Sequence, residues 1–405
     1  MANTYNIESK VVIREFDEDR DVKVVGKLER NCEIGTTNKT GLSIFTNIMS
    51  DPLSRIRFYP LRIMLVCNVA ELVESNELVG VVRGCIKSVQ TSSGSLFKMG
   101  CILGLRVSPT HRRKGVGLKL ITSIEEWMLR NGADYAFLAT EKNNNASKNL
   151  FTNKCNYVNL TSLTIFLHPT TFPTNHISNK DIKIDKINID QAISLYTRIF
   201  KTKDLYPLDM DVILKEKLSL GTWVSYYKNE GFKLNNEDIT TNSSWIIFSL
   251  WNTCEANDNK VHVKTKLFQP LRFLHATLNH AKDKICPCLR MLGNESLMCE
   301  SLGFLFLYGL HGEGENLGGL MESIWSFTSK LGEKLKDCRL VITELGFGDT
   351  LVNHVPQMES MSCIDDMWYT KRLARDSDDD VDDELVQQQV MKRQLGNVFV
   401  DPRDF

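Results

Sequence analysis

Residues 103–117 read LGLRVSPTHRRKGVG. An apolar strand runs into a loop that holds three consecutive cations, Arg112, Arg113 and Lys114, and two glycines, Gly115 and Gly117. The loop opens directly into an amphipathic segment whose apolar spacing predicts a helix that ends near residue 131. Glycines let main-chain N–H groups approach an anion closely, and a helix start and cations favour negative charge. The pattern therefore predicts a phosphate-binding loop.

Other interpretations of this loop can be tested against its residues. A Walker loop requires GxxxxGK[ST], but here the lysine precedes Gly115 and neither Ser nor Thr follows Gly117. A dinucleotide fingerprint requires a third glycine at position 120, which is Leu. A solvated basic turn and a short nuclear-import tract stay open for the hexamer alone.

The residues after the loop predict a βαβ crossover. Tyr135–Ala139 is a short apolar run suited to a buried strand parallel to the first. An Asn-rich helix headed by Asn144 follows, and Asn156 can end it in the left-handed conformation. Leu163–Leu167 is predicted to be the final strand of this unit.

This order of elements resembles the Gcn5-related N-acetyltransferase superfamily, whose R-x-x-G-x-G loop cradles the pyrophosphate of acetyl-coenzyme A. The helix resembles the superfamily's N-x-x-S-x-x-L-[YF] motif. The resemblance implies an α/β (α+β) fold with a mixed central sheet flanked by helices. It also implies that acetyl-CoA is the co-substrate and that it is bound by Leu105, Val107, Arg112, Arg113, Lys114, Gly115, Val116, Gly117, Asn144, Ser147 and Phe151.

A narrower resemblance, to the plant Hookless-type N-acetyltransferases, spans nearly the whole chain. Many of the matching stretches have no catalytic reason to match. They are 12–17, 29–35, 82–87, 103–109, 217–222, 308–309 with 312–314, and 399–405.

Length and charge predict two cores with different partners. The chain has 405 residues, more than a single core usually holds. We expect an acetyl-CoA-binding domain over 1–170 and a degenerate acetyltransferase-like domain over 171–405, with an acidic insertion near 376–384. Residues 1–170 carry 22 Lys and Arg against 16 Asp and Glu, whereas residues 171–405 carry 27 against 34. The first half is therefore the one suited to a polyanionic cofactor. The acidic run near 376–384 is either a solvated insertion or a segment that attracts a basic substrate or protein tail.

The second half repeats the first in outline. A strand is predicted over 304–308, a long helix over 316–336 and a second strand over 340–344, and each half is predicted to close on a strand that runs into proline, at Phe166–Pro169 and Phe399–Pro402. A duplicated fold explains this, and an unrelated α+β domain with the same unit stays open. In a duplicate, Glu313 and Glu315 would repel phosphate, so this half would shape the acceptor groove without a second active site.

The chemistry implied by the resemblance is direct attack of a neutral amine on the thioester, which needs alignment, a polarised carbonyl and a proton acceptor. The strand 104–107 would bind the pantetheine arm through its main chain. The chain departs from better-known members at two positions. Phe151 stands where a proton-donating Tyr is common, and Cys101 stands where histone-type members hold a catalytic Glu.

Several residues remain as candidates for the missing proton chemistry. Glu141 at a strand end is the candidate catalytic base, against a surface or capping carboxylate. Glu29 and Glu33 could hold a cationic amine or be ordinary helix charges. Cys101 could carry an acyl group but is more typical of a core residue, and so is Tyr157.

Metal, nucleic-acid and membrane partners are not expected. His275 and His280 lie near Cys286 and Cys288, but the one-residue gap between the cysteines fits zinc poorly. No aromatic platform accompanies the cations of the loop, and no apolar run has membrane-spanning length. We expect reduced cysteines and a place in the nucleus or cytoplasm.

The sequence thus predicts an acetyl-CoA-dependent N-acetyltransferase. Its acceptor would be an amine, such as a lysine in a basic protein tail, and the resemblance implies a role in hormone-linked plant growth control. The alternative is a regulatory pseudoenzyme that binds acetyl-CoA with little or no turnover.

Overall fold

The computed structural model describes residues 11–33, 47–48, 64–170, 180–232, 244–254, 261–262, 303–358, 360–373 and 395–404. The strands are β1 (Val11–Glu15), β2 (Asn47–Ile48), β3 (Met64–Leu72), β4 (Leu78–Thr91), β5 (Leu96–Val107), β6 (Tyr135–Glu141), β7 (Val158–Pro169), β8 (Ile182–Ile187), β9 (Leu205–Pro207), β10 (Ser219–Tyr227), β11 (Trp245–Asn252), β12 (Val261–His262), β13 (Gly303–Glu313), β14 (Cys338–Gly346) and β15 (Ser362–Arg372). The helices are α1 (Glu18–Glu33), α2 (Val116–Arg130), α3 (Asn145–Cys155), α4 (Ile189–Ile199), α5 (Met210–Lys215) and α6 (Leu317–Lys334).

One mixed sheet runs through both halves of the chain. Its strand order is β1-β3-β4-β5-β6-β15-β7-β14-β13-β11-β10-β8, with β9 paired to β4, while β2 and β12 form a separate ladder. The pairs β5–β6 and β13–β14 are parallel. The predicted fold, a mixed central sheet flanked by helices, is confirmed.

The helix after the cationic loop packs as its apolar spacing predicts. Helix α2 buries five residues against one face of the sheet: Val116, Leu120, Ile121, Ile124 and Met128. Glycines on the strands make room for this face, since a Cβ at Gly84 would lie 2.9 Å from the side chain of Ile124. Each such apolar side chain contributes roughly 1.5–3 kcal/mol when fully buried. The packing fixes the start of α2 at the end of β5.

The two halves exchange strands. Strand β15 lies between β6 and β7 and is antiparallel to both, although it comes nearly two hundred residues later in the sequence than β7. Strand β7 in turn is antiparallel to β14. Each half is therefore completed by a strand of the other, which the sequence analysis did not foresee because pairing between distant segments leaves no local pattern. The division at residue 170 stays a prediction.

The second half repeats the topology of the first. Strand β13, helix α6 and strand β14 form a second parallel crossover, at the positions predicted for it. The closing strand predicted at Phe399–Pro402 is wrong: Val398 makes a single bridge to Leu205, and a 3₁₀ turn begins at Pro402. Since a proline at that point cannot donate to a ladder, the chain leaves the sheet there. The acidic insertion at 376–384 lies outside the described residues.

Candidate active site

The main chain of β5 bulges and then separates from β6. Val82 of β4 faces both Gly104 and Leu105, and Gly104 has a left-handed φ of +59°. A residue with a Cβ would be strained in this conformation. Pairing of β5 with β6 stops after Cys101 and Phe137, so a gap opens between the two strands. The unpaired main-chain groups along such a gap can hydrogen-bond an extended polar ligand.

The cationic loop stands at the open end of this gap, between β5 and α2. Arg113 and Gly115 have left-handed φ values of +65° and +78°, and Gly115 is the N-cap of α2. Arg112 to Lys114 are exposed, while Val116 is buried beneath them. A Cβ built on Gly115 would meet no atom of the described residues within 4 Å. The loop therefore presents cations and a helix start to solvent beside open space, the arrangement that favours an anion.

Arg112 also fastens the loop to the body of the protein. Its Nε donates to the carbonyl of Val107, and one Nη donates to the carbonyl of Cys32 at the end of α1, both at 3.2 Å. The Cys32 thiol donates to the same Val107 carbonyl at 3.3 Å. That carbonyl is thus occupied, and a ligand along β5 would have to use other main-chain groups.

Helix α3 supplies the remaining predicted cofactor residues. Asn144 is its N-cap, and the side-chain oxygen of Asn144 accepts a hydrogen bond from the N–H of Ser147 at 3.1 Å. Asn156 ends the helix with a left-handed φ of +60°, as its sequence position predicts. Phe151 is 3% exposed and packs edge-to-face against Tyr157. The Phe151 ring is part of the hydrophobic core beneath α2. The binding of acetyl-CoA by Phe151 therefore stays a prediction.

The candidate base, Glu141, is the last residue of β6 and is partly buried. Its register partner on β15 is Asp366, which is buried, as is Glu344 of β14. Burial raises the pKa of Asp366 to about 6, and a hydrogen bond from Glu344 lowers it again in part. Burial and the negative charge of Asp366 raise the pKa of Glu344 well above its ordinary value. Asp366 thus lies beside Glu141, and Glu344 interacts with Asp366. Sequence reasoning missed both carboxyl groups because only pairing between distant segments brings them to this place.

Glu29 is not free to hold an amine. Its carboxylate accepts a hydrogen bond from Arg83 at 2.6 Å, and both side chains are buried. The Arg83 guanidinium lies against the bulge, since a Cβ at Gly104 would be 2.7 Å from its Nη1. Neither alternative for Glu29 matches the structure: an internal cation already pairs with its carboxylate, and the residue is buried instead of being an ordinary exposed helix charge. The side chain of Glu33 lies outside the described residues.

Cys101 is a core residue. It is fully buried and faces Cys85 across the β4–β5 pair. The Cys85 thiol and burial raise the pKa of Cys101 well above its ordinary value. A thiol that keeps its proton is a poor nucleophile, so the structure favours the core interpretation over an acyl carrier.

The end of the chain forms a buried ionic cluster on β4. Lys87 Nζ donates to Asp401 at 2.9 Å and to Asp404 at 2.5 Å. Arg403 pairs with both Asp401 and Asp209. The cluster fixes residues 401–404 on the sheet face that also carries Cys85 and Cys101. Residues 399–405 resemble the plant family in sequence, but no motif among them indicates these contacts.

The second half has the same bulge but a closed gap. Phe248 faces both Gly309 and Leu310, and Gly309 has a φ of +65°. Pairing of β13 with β14 stops after Leu307 and Thr343. Where these strands part, residues 398–400 cover them and leave a cavity of about 10 Å³, no more than one water requires.

The loop of the second half is also unlike the first. Three residues, 314–316, separate β13 from α6, against eight, 108–115, between β5 and α2. His311 lies 3.4 Å from Glu313, and Glu313 and Glu315 bring no cation. Behind the bulge, a Cβ at Gly309 would be 2.5 Å from the Tyr196 hydroxyl, where the first half has a guanidinium. Among the described residues, cations therefore lie beside the gap of the first half and not beside that of the second.

No group of side chains suited to a metal ion, and no helix long and apolar enough to span a bilayer, occurs in the part of the chain that the structure describes. The histidine and cysteine group at 275–288 lies outside those residues.

Comparison with known proteins agrees with this geometry. The acetyltransferase (GNAT) family model matches residues 50–157. The chain is similar to two solved folds at a TM-score of 0.51 and 12% identity. Saccharomyces cerevisiae N-myristoyltransferase with bound myristoyl-CoA matches over 91% of this chain and 83% of its own. The GCN5-related glucosamine N-acetyltransferase region of a fungal multi-domain β-N-acetylglucosaminidase matches over 89% of this chain and 38% of its own.

Curated relatives cover the whole chain. Probable N-acetyltransferase HLS1 of Arabidopsis thaliana is 34% identical over 97% of this chain and 100% of its own. The HLS1-like protein of the same plant is 32% identical over 98% and 99%. Acetyl transferase GW6a of Oryza sativa subsp. japonica is 28% identical over 98% and 97%. The chain therefore belongs to the HLS1-type N-acetyltransferases of the GNAT family and is an acyltransferase by class.

Proposed function

We propose that the first half of the chain binds acetyl-CoA and transfers its acetyl group to a primary amine, a lysine side chain in a basic protein tail. The observation that carries the proposal is the gap between β5 and β6, with the bulge in its wall and the cationic loop at its open end. The relatives named N-acetyltransferases support the same reaction type.

The loop and the gap suit the two ends of the cofactor. Arg113, Lys114 and the N-terminus of α2 offer positive charge to a pyrophosphate. The main chain from Gly104 to Val107 offers hydrogen-bonding groups to an extended pantetheine arm. Asn144 and Ser147 lie at the start of α3, with Val116 and Gly117 in the first turn of α2.

The charge of the acceptor side favours a cationic acceptor. Glu141, Asp366 and Glu344 bring carboxyl groups to the sheet face that carries Cys101. The buried Lys87 on this face is already paired with Asp401 and Asp404. A lysine side chain enters such a site as an ammonium ion and must lose a proton before it attacks. The reaction then needs aligned reactants and a proton acceptor, and no covalent enzyme intermediate.

The biological setting belongs to the same proposal. It includes a protein acceptor with a basic tail, a place in the nucleus or cytoplasm, and a role in hormone-linked plant growth. The relatives support only the plant setting. The proposal includes neither direct nucleic-acid binding nor membrane attachment.

The alternative is a pseudoenzyme that binds acetyl-CoA and regulates without turnover. One observation favours it: Phe151 and Cys101, which replace the usual acid and base, are both buried and offer no proton transfer. A thiolate is nevertheless stable enough to leave near neutral pH, so turnover does not require an acid at position 151.

Calorimetry followed by a thiol-release assay separates these functions. The full chain is titrated with acetyl-CoA and then assayed with a histone-tail peptide, a polyamine and free amino acids. Turnover that is fastest with the lysine-rich peptide supports the proposal. Tight binding without thiol release from any amine supports the pseudoenzyme, and absence of binding contradicts both.

A single acetyl-CoA should bind per chain. The second gap is covered by residues 398–400, and its loop lacks both length and cations. Calorimetry on the full chain is expected to give a stoichiometry near one. The full chain is required, because a fragment from residue 171 onward would lack β7, the partner of β14. A second site of micromolar affinity would contradict the assignment of this half as degenerate.

A further inference from the structure

The bulge and two carboxylates lie at one level across three neighbouring strands. The last pair of β5 and β6 is Cys101 with Phe137, and both strands continue in parallel beyond it. Four residues further on, β5 reaches the bulge at Leu105 and β6 reaches Glu141. Asp366 of β15 is the register partner of Glu141. Directly opposed residues of paired strands share a face, so Asp366 lies beside Glu141 at the level of the bulge.

These side chains lie on the face opposite α2. Residues alternate between the two faces of a strand, so Glu141 shares a face with Phe137. Trp368, two residues from Asp366, packs edge-to-face on Phe137 at 4.8 Å between ring centres. Because α2 and α3 occupy the other face, a ligand along the loop and the gap leaves this face to the acceptor.

Asp366 and Glu344 are an unusual pair for a protein interior. Each residue is only 6% exposed, and one oxygen of Glu344 has no hydrogen-bond partner among the described residues. Buried carboxyl groups normally have partners, and an exception calls for an explanation. Two carboxyl groups that share a buried site repel each other when both are ionised, so one of them stays protonated while the other is ionised.

We propose that Asp366, held beside a protonated Glu344, accepts the proton of the acceptor amine during acetyl transfer. The inference rests on the proposed function. It means that the residue which completes the active site of the first half is delivered by a strand of the second half.

The step balances without any further reactant. The acceptor enters as an ammonium ion and gives one proton to the Asp366 carboxylate. The neutral nitrogen then forms a bond to the thioester carbonyl carbon, the carbon–sulfur bond breaks, and the electron pair leaves on sulfur as the coenzyme A thiolate. The nitrogen gives its second proton to this thiolate, directly or through solvent, and Asp366 releases its own proton to solvent.

Neighbouring titratable groups affect whether Asp366 and Glu344 are protonated. Burial raises the pKa of Asp366 to about 6, and the negative charge of Glu141 raises it while hydrogen bonds from Glu344 and the Trp368 ring lower it. Asp404 on the terminal segment raises the pKa of Glu344, with Lys87 and Asp401 behind it. Tyr369 lies on the same strand, and the charge of Asp366 raises its pKa. Above pH 6 Asp366 is therefore ionised, and the raised pKa of Glu344 favours its protonated form.

Three variants of the full chain test the proposal at saturating acetyl-CoA. Asp366→Asn is expected to lower kcat on the order of 10² at pH 7.5 and to remove the rising limb near pH 6 from the pH–rate profile. Glu344→Gln imitates the protonated carboxyl and is expected to change kcat by about threefold or less. Asp365→Asn alters the exposed neighbour, which pairs with Lys142, and is expected to leave both the rate and the profile unchanged.

The outcomes separate this inference from the proposed function. If the wild type turns over and the pH–rate profile of Asp366→Asn keeps its rising limb near pH 6, the role of Asp366 is overturned but the proposed function stands. If Glu344→Gln loses as much activity as Asp366→Asn, Glu344 is the proton acceptor, and the proposed role of Asp366 is overturned. Calorimetry must show that each variant still binds acetyl-CoA. If Asp366→Asn does not fold, Asp366→Glu takes its place and is expected to keep the limb with a changed apparent pKa. Absence of wild-type turnover on every amine removes the proposed function and this inference with it.

Discussion

Gly115→Val is expected to weaken acetyl-CoA binding at least tenfold, about 1.4 kcal/mol. Gly115 has a φ of +78° and faces open space at the start of α2. A β-branched side chain there fills the space in which phosphate oxygens would lie and disfavours the left-handed conformation. Calorimetry of the purified variant with acetyl-CoA measures the loss.

Gly94→Val is the matched control for this substitution. Gly94 also has a positive φ, +90°, and a Cβ there also meets no atom within 4 Å in the part of the chain that the structure describes. It lies in the turn between β4 and β5, at the other end of β5 from the loop. The backbone strain is therefore similar, but affinity is expected to stay within about twofold of the wild type. Equal losses in both variants would mean that strain, and not the phosphate cradle, causes the effect.

Asp401→Ala is expected to destabilise the fold by about 3–5 kcal/mol, because it removes one partner from a buried ionic cluster. Asp401 is 5% exposed and accepts hydrogen bonds from Arg403 at 2.7 Å and from Lys87 at 2.9 Å. Both cations would remain buried with one carboxylate fewer. Urea unfolding at pH 7 measures the change.

The exposed pair of Lys142 and Asp365 provides the contrast. Its side chains are 60% and 54% exposed, so Asp365→Ala is expected to cost less than about 1 kcal/mol. Although burial alone would raise the pKa of Asp401, the charges of Arg403 and Lys87 hold it well below its ordinary range. A lowered pKa gives stability that is present above about pH 4 and is lost as the pH falls further. The difference between wild type and Asp401→Ala should therefore shrink in acid, and a constant difference would contradict this account.

Local chemistry made the first half readable from its sequence. The positions of Gly115, Asn144 and Asn156 follow from caps and turns that a few neighbouring residues determine, and the apolar spacing of α2 matches its buried face. The second crossover could be predicted for the same reason. These features depend on contacts within one turn or one strand.

The rest of the candidate site depends on contacts between distant segments. Asp366 and Glu344 show no motif, and their importance comes only from the register that β15 and β14 adopt beside β6 and β7. Glu29 looked like an exposed helix charge because nothing nearby in sequence indicates Arg83 as its partner. The strand predicted at the chain terminus is wrong because Pro402 cannot donate to a sheet ladder, and because Asp401 and Arg403 pair there with other side chains.

The exchange of β7 and β15 has a consequence for how the protein is made. During synthesis the first half emerges from the ribosome with β6 and β7 complete, but the strand between them has not yet been translated. Long-range pairing of this kind slows folding and leaves strand edges open to aggregation while the chain grows. Premature termination after residue 170 but before residue 362 would therefore release a chain that contains the cationic loop but lacks the strand that joins β6 to β7 in the sheet.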